Sequence, residues 1–216
     1  MGRVLPILFN TDMVRAILNG RKTATRRAVK YKYSNTEMKM RTDKYGTRLI
    51  EIQKDVEGET HGKNPDGGTW HKLLPYIDKK PPCRKGDILY VRETWFKYAG
   101  EYIYKASAGQ PGLWSGMWCP SIHMPREAAR IFLKVTDVTP EHLKDMTLDD
   151  FLSEGVVLRP EAFNDPENAY WRARRIFAEE IWEKTLKKKD YDLYSWDANP
   201  WVWTVKFERC EKPEGI

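Results

Sequence analysis

Apolar residues recur along this chain at two different spacings, and each change of spacing marks a predicted element. Near the amino terminus, the helical spacing i, i+1, i+4, i+5 is occupied by Met13, Val14, Ile17 and Leu18. We expect Thr11 or Asp12 to cap the start of this helix, since their side-chain oxygens can accept free backbone N–H groups. Gly20 can adopt the left-handed conformation that ends it.

Apolar runs or alternations typical of β-strands occur in residues 4–9, 88–95, 102–106, 130–138 and 201–210. Pro6 has no amide hydrogen to donate to a neighbouring strand, so the first strand is predicted at a sheet edge. In the last strand, apolar and polar residues alternate. We expect one of its faces to be buried, the one that carries Trp201, Trp203, Val205 and Phe207.

Short helices are predicted between these strands. Pro140 fits the first turn of one helix. A capping-box pattern over residues 147–150 starts a second helix, which Gly155 can end. Residues 165–166 provide an aspartate cap and a first-turn proline for a third, which we expect to reach about Leu186.

Residues 31 to about 82 differ in character from the segments on either side. They are polar, residues 64–68 form a strong turn cluster, and residues 47–52 can form one strand of a hairpin. We interpret the chain as a single domain, residues 1–216, with an insertion at about 31–82. The strands and short helices outside it lack a repeated strand–helix–strand order, which predicts an α+β fold built on a small mixed β-barrel.

Composition narrows the class of protein. Hydrophobic residues make up 41% of 216, enough for a packed interior, and no apolar run reaches the ~20 residues of a membrane span. The first residues are too short an apolar run, broken by Pro6, for a secretory signal. Cys83, Cys119 and Cys210 lack CxxC spacing, which favours reduced thiols and a cytoplasmic location. A net charge of +6 and many aromatic residues are compatible with nucleic-acid partners.

Cofactor and metal signals are weak. The chain has no glycine-rich phosphate loop, which disfavours a dinucleotide or P-loop cofactor. Cys119 and His123 lie close together in sequence, but no second pair stands at zinc-ligand spacing. We therefore expect neither a cofactor nor a metal.

The strongest chemical signal is the segment from Leu18 to Arg27, which places four cations and two hydroxyls directly behind the predicted helix. Cationic side chains in a loop after a short core helix can hold an anionic or strongly polar ligand. The alternative is an ordinary solvated basic surface.

This segment, in the form Gly20-Arg21-Lys22-Thr23-x-Thr25-x-Arg27, resembles the signature loop of the ASCH family, a branch of the PUA-like superfold. Further similarity follows in the same order in residues 86–95, the strand through Val138, the helix ending at Gly155, and residues 196–203. The order resembles that of the larger phage- and prophage-type members. The insertion matches nothing in that pattern.

The resemblance implies a PUA-like barrel with helices at one mouth and a nucleoside, RNA or another single-stranded nucleic acid as partner. One branch of the family is an amidohydrolase that removes acetyl from acetylcytidine. By motif, its lysine, threonine and glutamate correspond to Lys22, Thr25 and Glu154. The resemblance also suggests ligand contacts from Arg21, Thr23, Arg26, Arg27 and, more remotely, Ser121.

The chemistry leaves alternatives open. Thr25 needs a neighbour to accept its proton, and either Lys22 or Glu154 can do so; Thr23 competes as the nucleophile. On a regular strand Lys22 and Thr25 point to opposite faces, so they converge only where the backbone is turn-like. Two alternative functions remain: a non-catalytic reader of RNA or modified nucleic acid, and a ribonuclease that uses Lys22 with a tyrosine or a serine such as Ser121.

Overall fold

The computed structural model describes residues 2–33, 36–44, 46–53, 61–63, 69–71, 76–109 and 116–214. The turn cluster predicted at residues 64–68 lies outside them. The chain divides into two compact units, one formed by Met1–Arg27 with Cys83–Ile216 and the other by Ala28–Pro82. The second unit spans nearly the same residues as the predicted insertion, and each unit is described by itself.

The elements of the described residues are as follows. The strands are β1 Val4–Leu8, β2 Ala24–Ala28, β3 Thr36–Asp43, β4 Gly46–Gln53, β5 His61–Lys63, β6 Thr69–His71, β7 Ile77–Asp78, β8 Ile88–Arg92, β9 Trp95–Tyr98, β10 Glu101–Tyr104, β11 Phe132–His142 and β12 Trp201–Cys210. The α-helices are α1 Thr11–Leu18, α2 Leu148–Ser153, α3 Pro166–Ile176 and α4 Tyr191–Tyr194.

The larger unit is organised by a five-stranded sheet with the order β1-β8-β11-β12-β2. Strand β1 runs parallel to β8, whereas β11 is antiparallel to both β8 and β12. Strand β1 stands at the edge, so the prediction from Pro6 is confirmed. The fold is mixed α+β, and no closed barrel is detected among the described residues.

Helix α1 forms as its apolar stripe predicts, with Val14, Ala16 and Ile17 buried in the core beside β8, β11 and β12. The predicted cap was wrong by one residue. Asn10 is the N-cap, because its side-chain oxygen accepts the N–H of Met13 at 2.9 Å. Gly20 has φ 72° and turns the chain out of the helix, as predicted.

The helix predicted to begin around Pro140 does not form, because β11 continues to His142 and Pro140 pairs with Trp203 of β12. Strand β8 pairs only with the first part of β11, at Phe132–Lys134. Among the described strands, Pro140 therefore has a neighbour on one side only, where its missing N–H costs no ladder hydrogen bond. The continuation keeps Glu141 on a strand.

Other boundaries differ in detail. The strand predicted over residues 88–95 ends at Arg92, and Trp95 opens a separate hairpin of β9 with β10. The helix that begins at Pro166 stops being α-helical at Ile176 and continues in wider, π-helical turns over Phe177–Trp182.

Strand β12 is buried on both faces in its first half, contrary to the single buried face that its alternation predicted. Val202 and Thr204 are as buried as Val205, at 0%, 1% and 1% exposure. Thr204 therefore lies in the interior, where its hydroxyl needs a hydrogen-bonding partner.

The smaller unit contains the antiparallel sheet β3-β4-β7, so the predicted hairpin strand is present as β4. Its buried carboxylate, Glu51, accepts the backbone N–H groups of Lys32 and Tyr33 and also pairs with Lys79 at 2.7 Å. Burial opposes ionisation of Glu51, but hydrogen bonds from Lys79, Thr36 and these backbone groups outweigh it and lower its pKa to about 2. Among the described residues, no helix is long and apolar enough to cross a membrane.

Candidate functional site

The backbone after α1 is irregular until β2 begins at Ala24. The N–H groups of Arg21 and Lys22 both donate to the carbonyl of Ala16, at 2.9 and 3.1 Å, and that of Thr23 donates to the carbonyl of Ser153 at 2.8 Å. Lys22 therefore lies in a turn before the strand, and the strand rule that would direct it away from Thr25 does not apply.

Lys22 and Glu154 meet in the interior although 132 positions separate them in the sequence. The Nζ of Lys22 lies 2.6 Å from Oε2 of Glu154 and also donates to the carbonyl oxygen of Glu154 at 3.0 Å. Their side chains are 0% and 3% exposed. The turn carries Lys22 inward to the residue that follows α2.

Gly155 makes this approach possible. Its φ of +100° is a left-handed conformation that ends α2, as predicted. A β-carbon placed at this position would lie 3.1 Å from Cβ of Ala16 and 3.6 Å from Cβ of Lys22. A glycine therefore satisfies both the conformation and the close packing of the turn against Glu154.

Arg26 completes the cluster from β2, with its side chain 1% exposed. Its Nε donates to Glu141 Oε1 at 2.7 Å, its Nη2 lies 2.8 Å from Asp150 Oδ1 in an ion pair, and its Nη1 lies 3.4 Å from Glu154 Oε1. Thr204 donates to the same Glu141 oxygen at 2.6 Å. Burial works against the charge of Arg26, but the carboxylates outweigh burial and raise its pKa.

The environment of Lys22 favours the neutral amine. Burial is the largest effect and lowers the pKa of Lys22; Glu154 raises it, and Arg27 and Arg26 lower it further. Phe9 covers the same region, with its ring centroid 5.6 Å from Lys22 Nζ and 5.4 Å from Cζ of Arg27. A lysine with a lowered pKa is neutral over a wider range of pH than an exposed lysine, so it is better suited to accept a proton.

Thr25 is buried, 3% exposed, and lies on β2 beside Arg26. Strand alternation puts its side chain on the same face as Arg27, which is the face that meets Phe9. Among the described residues, no hydrogen bond joins its hydroxyl to Lys22 or Glu154. Thr25 therefore shares a strand face with Arg27, and in the described part of the chain no hydrogen bond joins it to the Lys22–Glu154 pair.

The remaining predicted residues lie in different surroundings. Arg21 is exposed and donates to the carbonyl of Gly155 at 3.1 Å, and exposed Thr23 contributes its backbone to the turn. Arg27 donates to the carbonyl of Leu8 at 2.9 Å. Ser121 lies in a short 3-10 turn, Ser121–His123, and among the described residues its hydroxyl has no hydrogen bond to the Lys22 cluster.

Sequence reasoning missed Glu141, Asp150, Thr204 and Phe9 as members of the site. Asp150 was visible only as the helix-capping residue, a role that it also has, since it accepts from Thr147. Glu141 was assigned to a helix that does not exist. The signal that could have found them is the need of a buried arginine for several acceptors, but burial of Arg26 was not visible in the sequence.

Metal binding has no support in the described part of the chain, where no group of three or more histidine, cysteine or acidic side chains could hold an ion. Cys83, Cys119 and Cys210 are free thiols. Burial raises the pKa of Cys83 to about 11, which makes it a poor nucleophile. The contacts of the candidate site join Lys22 and Arg26 to the carboxylates of Glu141, Asp150 and Glu154.

Comparison with known proteins leaves the family open. No family model, no curated protein and no solved structure matches this chain.

Proposed function

We propose that this chain is an ASCH-type, PUA-like protein whose Lys22 cluster is the active site of an amidohydrolase acting on an acetylated cytidine. The observation that carries the proposal is the buried contact of Lys22 with Glu154 at 2.6 Å. The resemblance to the family implies both residues, together with Thr25, as the catalytic set. A cationic turn exposed to water would have removed the basis for this chemistry.

In the proposed reaction the hydroxyl of Thr25 attacks the acetyl carbonyl and gives its proton to the neutral amine of Lys22. The C–N bond then breaks, and the protonated Lys22 returns the proton to the exocyclic nitrogen of cytidine. Water attacks the acetyl–Thr25 ester, with Lys22 again taking the proton. The bond between the acetyl carbon and Oγ of Thr25 then breaks, Lys22 returns its proton to that oxygen, and acetic acid leaves and ionises to acetate in water. Each step keeps its atoms and charge within the substrate, one water and these side chains.

Glu154 fits the role of the group that orients Lys22. A neutral amine has two N–H bonds, and Nζ has two acceptors, the carbonyl and Oε2 of Glu154. Such an arrangement leaves the nitrogen lone pair for the Thr25 proton. In the opposite assignment, Glu154 takes the proton of Thr25 and Lys22 orients the Glu154 carboxylate.

A second candidate is a non-catalytic reader of RNA or modified nucleic acid, and the burial of the cluster favours it. The side chain of Lys22 has 0% exposure, so a substrate reaches it only when covering side chains move. In this alternative the ion pairs hold the fold together, and the exposed cations contact the ligand. The ribonuclease alternative loses support, because Ser121 makes no hydrogen bond to the cluster among the described residues.

The test is incubation of the protein with N4-acetylcytidine, with cytidine and acetate measured by chromatography. We expect turnover, and a loss of at least about 100-fold in Lys22→Ala and in Thr25→Val. Thr23→Val is the matched hydroxyl deletion, and because Thr23 is exposed we expect it to keep most of the turnover. Absence of turnover in the wild type rejects this substrate.

The reader is tested in parallel by fluorescence anisotropy with a short single-stranded RNA. Binding that survives Lys22→Ala and weakens steeply with salt, in a wild type without turnover, favours the reader. Turnover lost in Thr23→Val but kept in Thr25→Val transfers the nucleophile role to Thr23.

A further inference from the structure

We propose that Arg26 is a positioning residue: Glu141 and Asp150 hold its guanidinium, and the guanidinium in turn holds the Glu154 carboxylate on which Lys22 depends. The inference rests on the proposed function for its catalytic consequence, but its structural part can be tested without turnover. It gives Arg26 a role other than the ligand contact that the basic segment implied.

Arg26 is poorly placed to bind a ligand, because its side chain is buried and its guanidinium nitrogens already face carboxylates. Its three guanidinium nitrogens face carboxylates from three places in the fold, Glu141 on β11, Asp150 on α2 and Glu154 just after α2. With 1% of its side chain exposed, it has no free edge for a phosphate or a base. Of the other arginines in the same segment, Arg21 is exposed and Arg27 is only partly buried, so both are more accessible to a ligand than Arg26.

The two oxygens of Glu154 are divided between two cations. Oε2 accepts from Lys22 at 2.6 Å, whereas Oε1 faces Arg26 Nη1 at the longer distance of 3.4 Å. The carboxylate is thus held at both ends, and its rotation would break one contact or the other. A carboxylate fixed in this way presents a constant acceptor to Lys22.

The two carboxylates that hold Arg26, Glu141 and Asp150, each accept further hydrogen bonds that fix their positions. Glu141 Oε1 accepts from both Arg26 and Thr204 of β12. Asp150 accepts both the hydroxyl and the N–H of Thr147 in the capping box of α2, at 2.7 and 3.0 Å. The planar guanidinium of arginine spreads its N–H donors over three nitrogens, so it spans acceptors that lie farther apart than the N–H groups on the single nitrogen of a lysine can reach.

The charges that face Lys22 give the inference a measurable sign. Glu154 favours the protonated amine, and Arg26 and Arg27 disfavour it; Glu141 and Asp150 face Arg26. Removing the charge of Arg26 removes one of the two cations that disfavour protonation of Lys22. The Glu154 carboxylate then no longer shares its charge between Arg26 and Lys22. The protonated amine then gains stability, so Lys22 titrates at a higher pH.

The experiment is a pH titration of Lys22 Cε by NMR in protein labelled with carbon-13 lysine, with the signal assigned by its absence in Lys22→Ala. In Arg26→Gln we expect the midpoint to rise by about one pH unit. In Arg26→Lys, which keeps the charge, we expect less than half of that rise. An unchanged midpoint in Arg26→Gln overturns the inference.

Arg130→Gln is the matched control. Arg130 donates two hydrogen bonds to buried Glu93, at 2.9 and 3.0 Å, yet it is not among the charges that act on Lys22. We expect its loss to leave the Lys22 midpoint unchanged; a rise equal to that of Arg26→Gln would mean general loosening and would also overturn the inference. If Arg26→Gln does not fold, Arg26→Gln/Glu141→Gln removes a cation together with a carboxylate, and the same rise is expected.

Kinetics separate this inference from the proposed function. Because catalysis needs the neutral amine of Lys22, the kcat–pH profile of Arg26→Gln should move to higher pH by the same amount as the Lys22 titration, while KM stays within about twofold. A change confined to KM would make Arg26 a ligand contact and refute positioning. If the wild type shows no turnover, the proposed function fails, and the titration alone decides whether Arg26 controls Lys22.

Discussion

Removal of the side-chain amine of Lys22 should destabilise the larger unit strongly, because it leaves the Glu154 carboxylate in the interior without its nearest hydrogen-bond donor. Glu154 is 3% exposed and would keep only the contact with Arg26 at 3.4 Å. Breaking a buried ion pair from one side costs about 3–5 kcal/mol. Since Arg26 compensates part of the charge, we expect Lys22→Met to cost about 3 kcal/mol.

The double variant Lys22→Met/Glu154→Gln separates the pair from the volume of the side chains. It removes both charges, so we expect it to recover much of the loss and to give a coupling free energy of about 2 kcal/mol. The measurement is urea unfolding at pH 7, followed by tryptophan fluorescence and circular dichroism. Lys184→Met is the control: Lys184 pairs with Glu180 on the surface, and we expect a cost below about 0.5 kcal/mol.

The pH dependence of the same variants has a definite sign. The pKa of folded Lys22 lies below its unfolded value, so the unfolded chain binds more protons between the two values. This destabilising contribution is complete below the folded pKa and disappears as the pH rises to about 10.4. Relative to Lys22→Met, wild-type stability should therefore increase across that window. A cost of less than about 1 kcal/mol in Lys22→Met, or a coupling near zero, would refute the buried pair.

Three other predictions concern single contacts. Glu51→Gln should remove acid sensitivity of the smaller unit. The lowered pKa gives Glu51 a stabilising effect that is complete above pH 4.5 and is lost as the pH falls towards 2, and it is worth about 3 kcal/mol in acid titrations followed by circular dichroism. Gly155→Ala should cost about 2 kcal/mol in urea unfolding, because φ is +100° and Ala16 lies 3.1 Å from the added carbon; stability equal to wild type would contradict this backbone. Asn10→Ala should lower unfolding free energy by about 1 kcal/mol, while Thr11→Ala changes it little, and the reverse order would restore Thr11 as the cap.

Local patterns in the sequence were enough for most elements of the fold. The helix of Thr11–Leu18, the capping box at Thr147 and the left-handed turn at Gly20 depend on residues within one or two helical turns, and each is present. Pro140 failed as a helix signal because proline fits both a helix start and a strand without a neighbour on one side. Pairing with β12, far along the chain, decided between the two.

The chemistry of the site was divided in the same way. The sequence by itself determined which cations and hydroxyls follow α1, and its motif singled out Lys22, Thr25 and Glu154. Only the tertiary structure decided that Lys22 is buried against Glu154 and that Arg26 is surrounded by Glu141 and Asp150. The physical reason is that a charge enters the interior only where partners from distant segments meet it, and a sequence pattern records neighbours along the chain rather than partners across the fold.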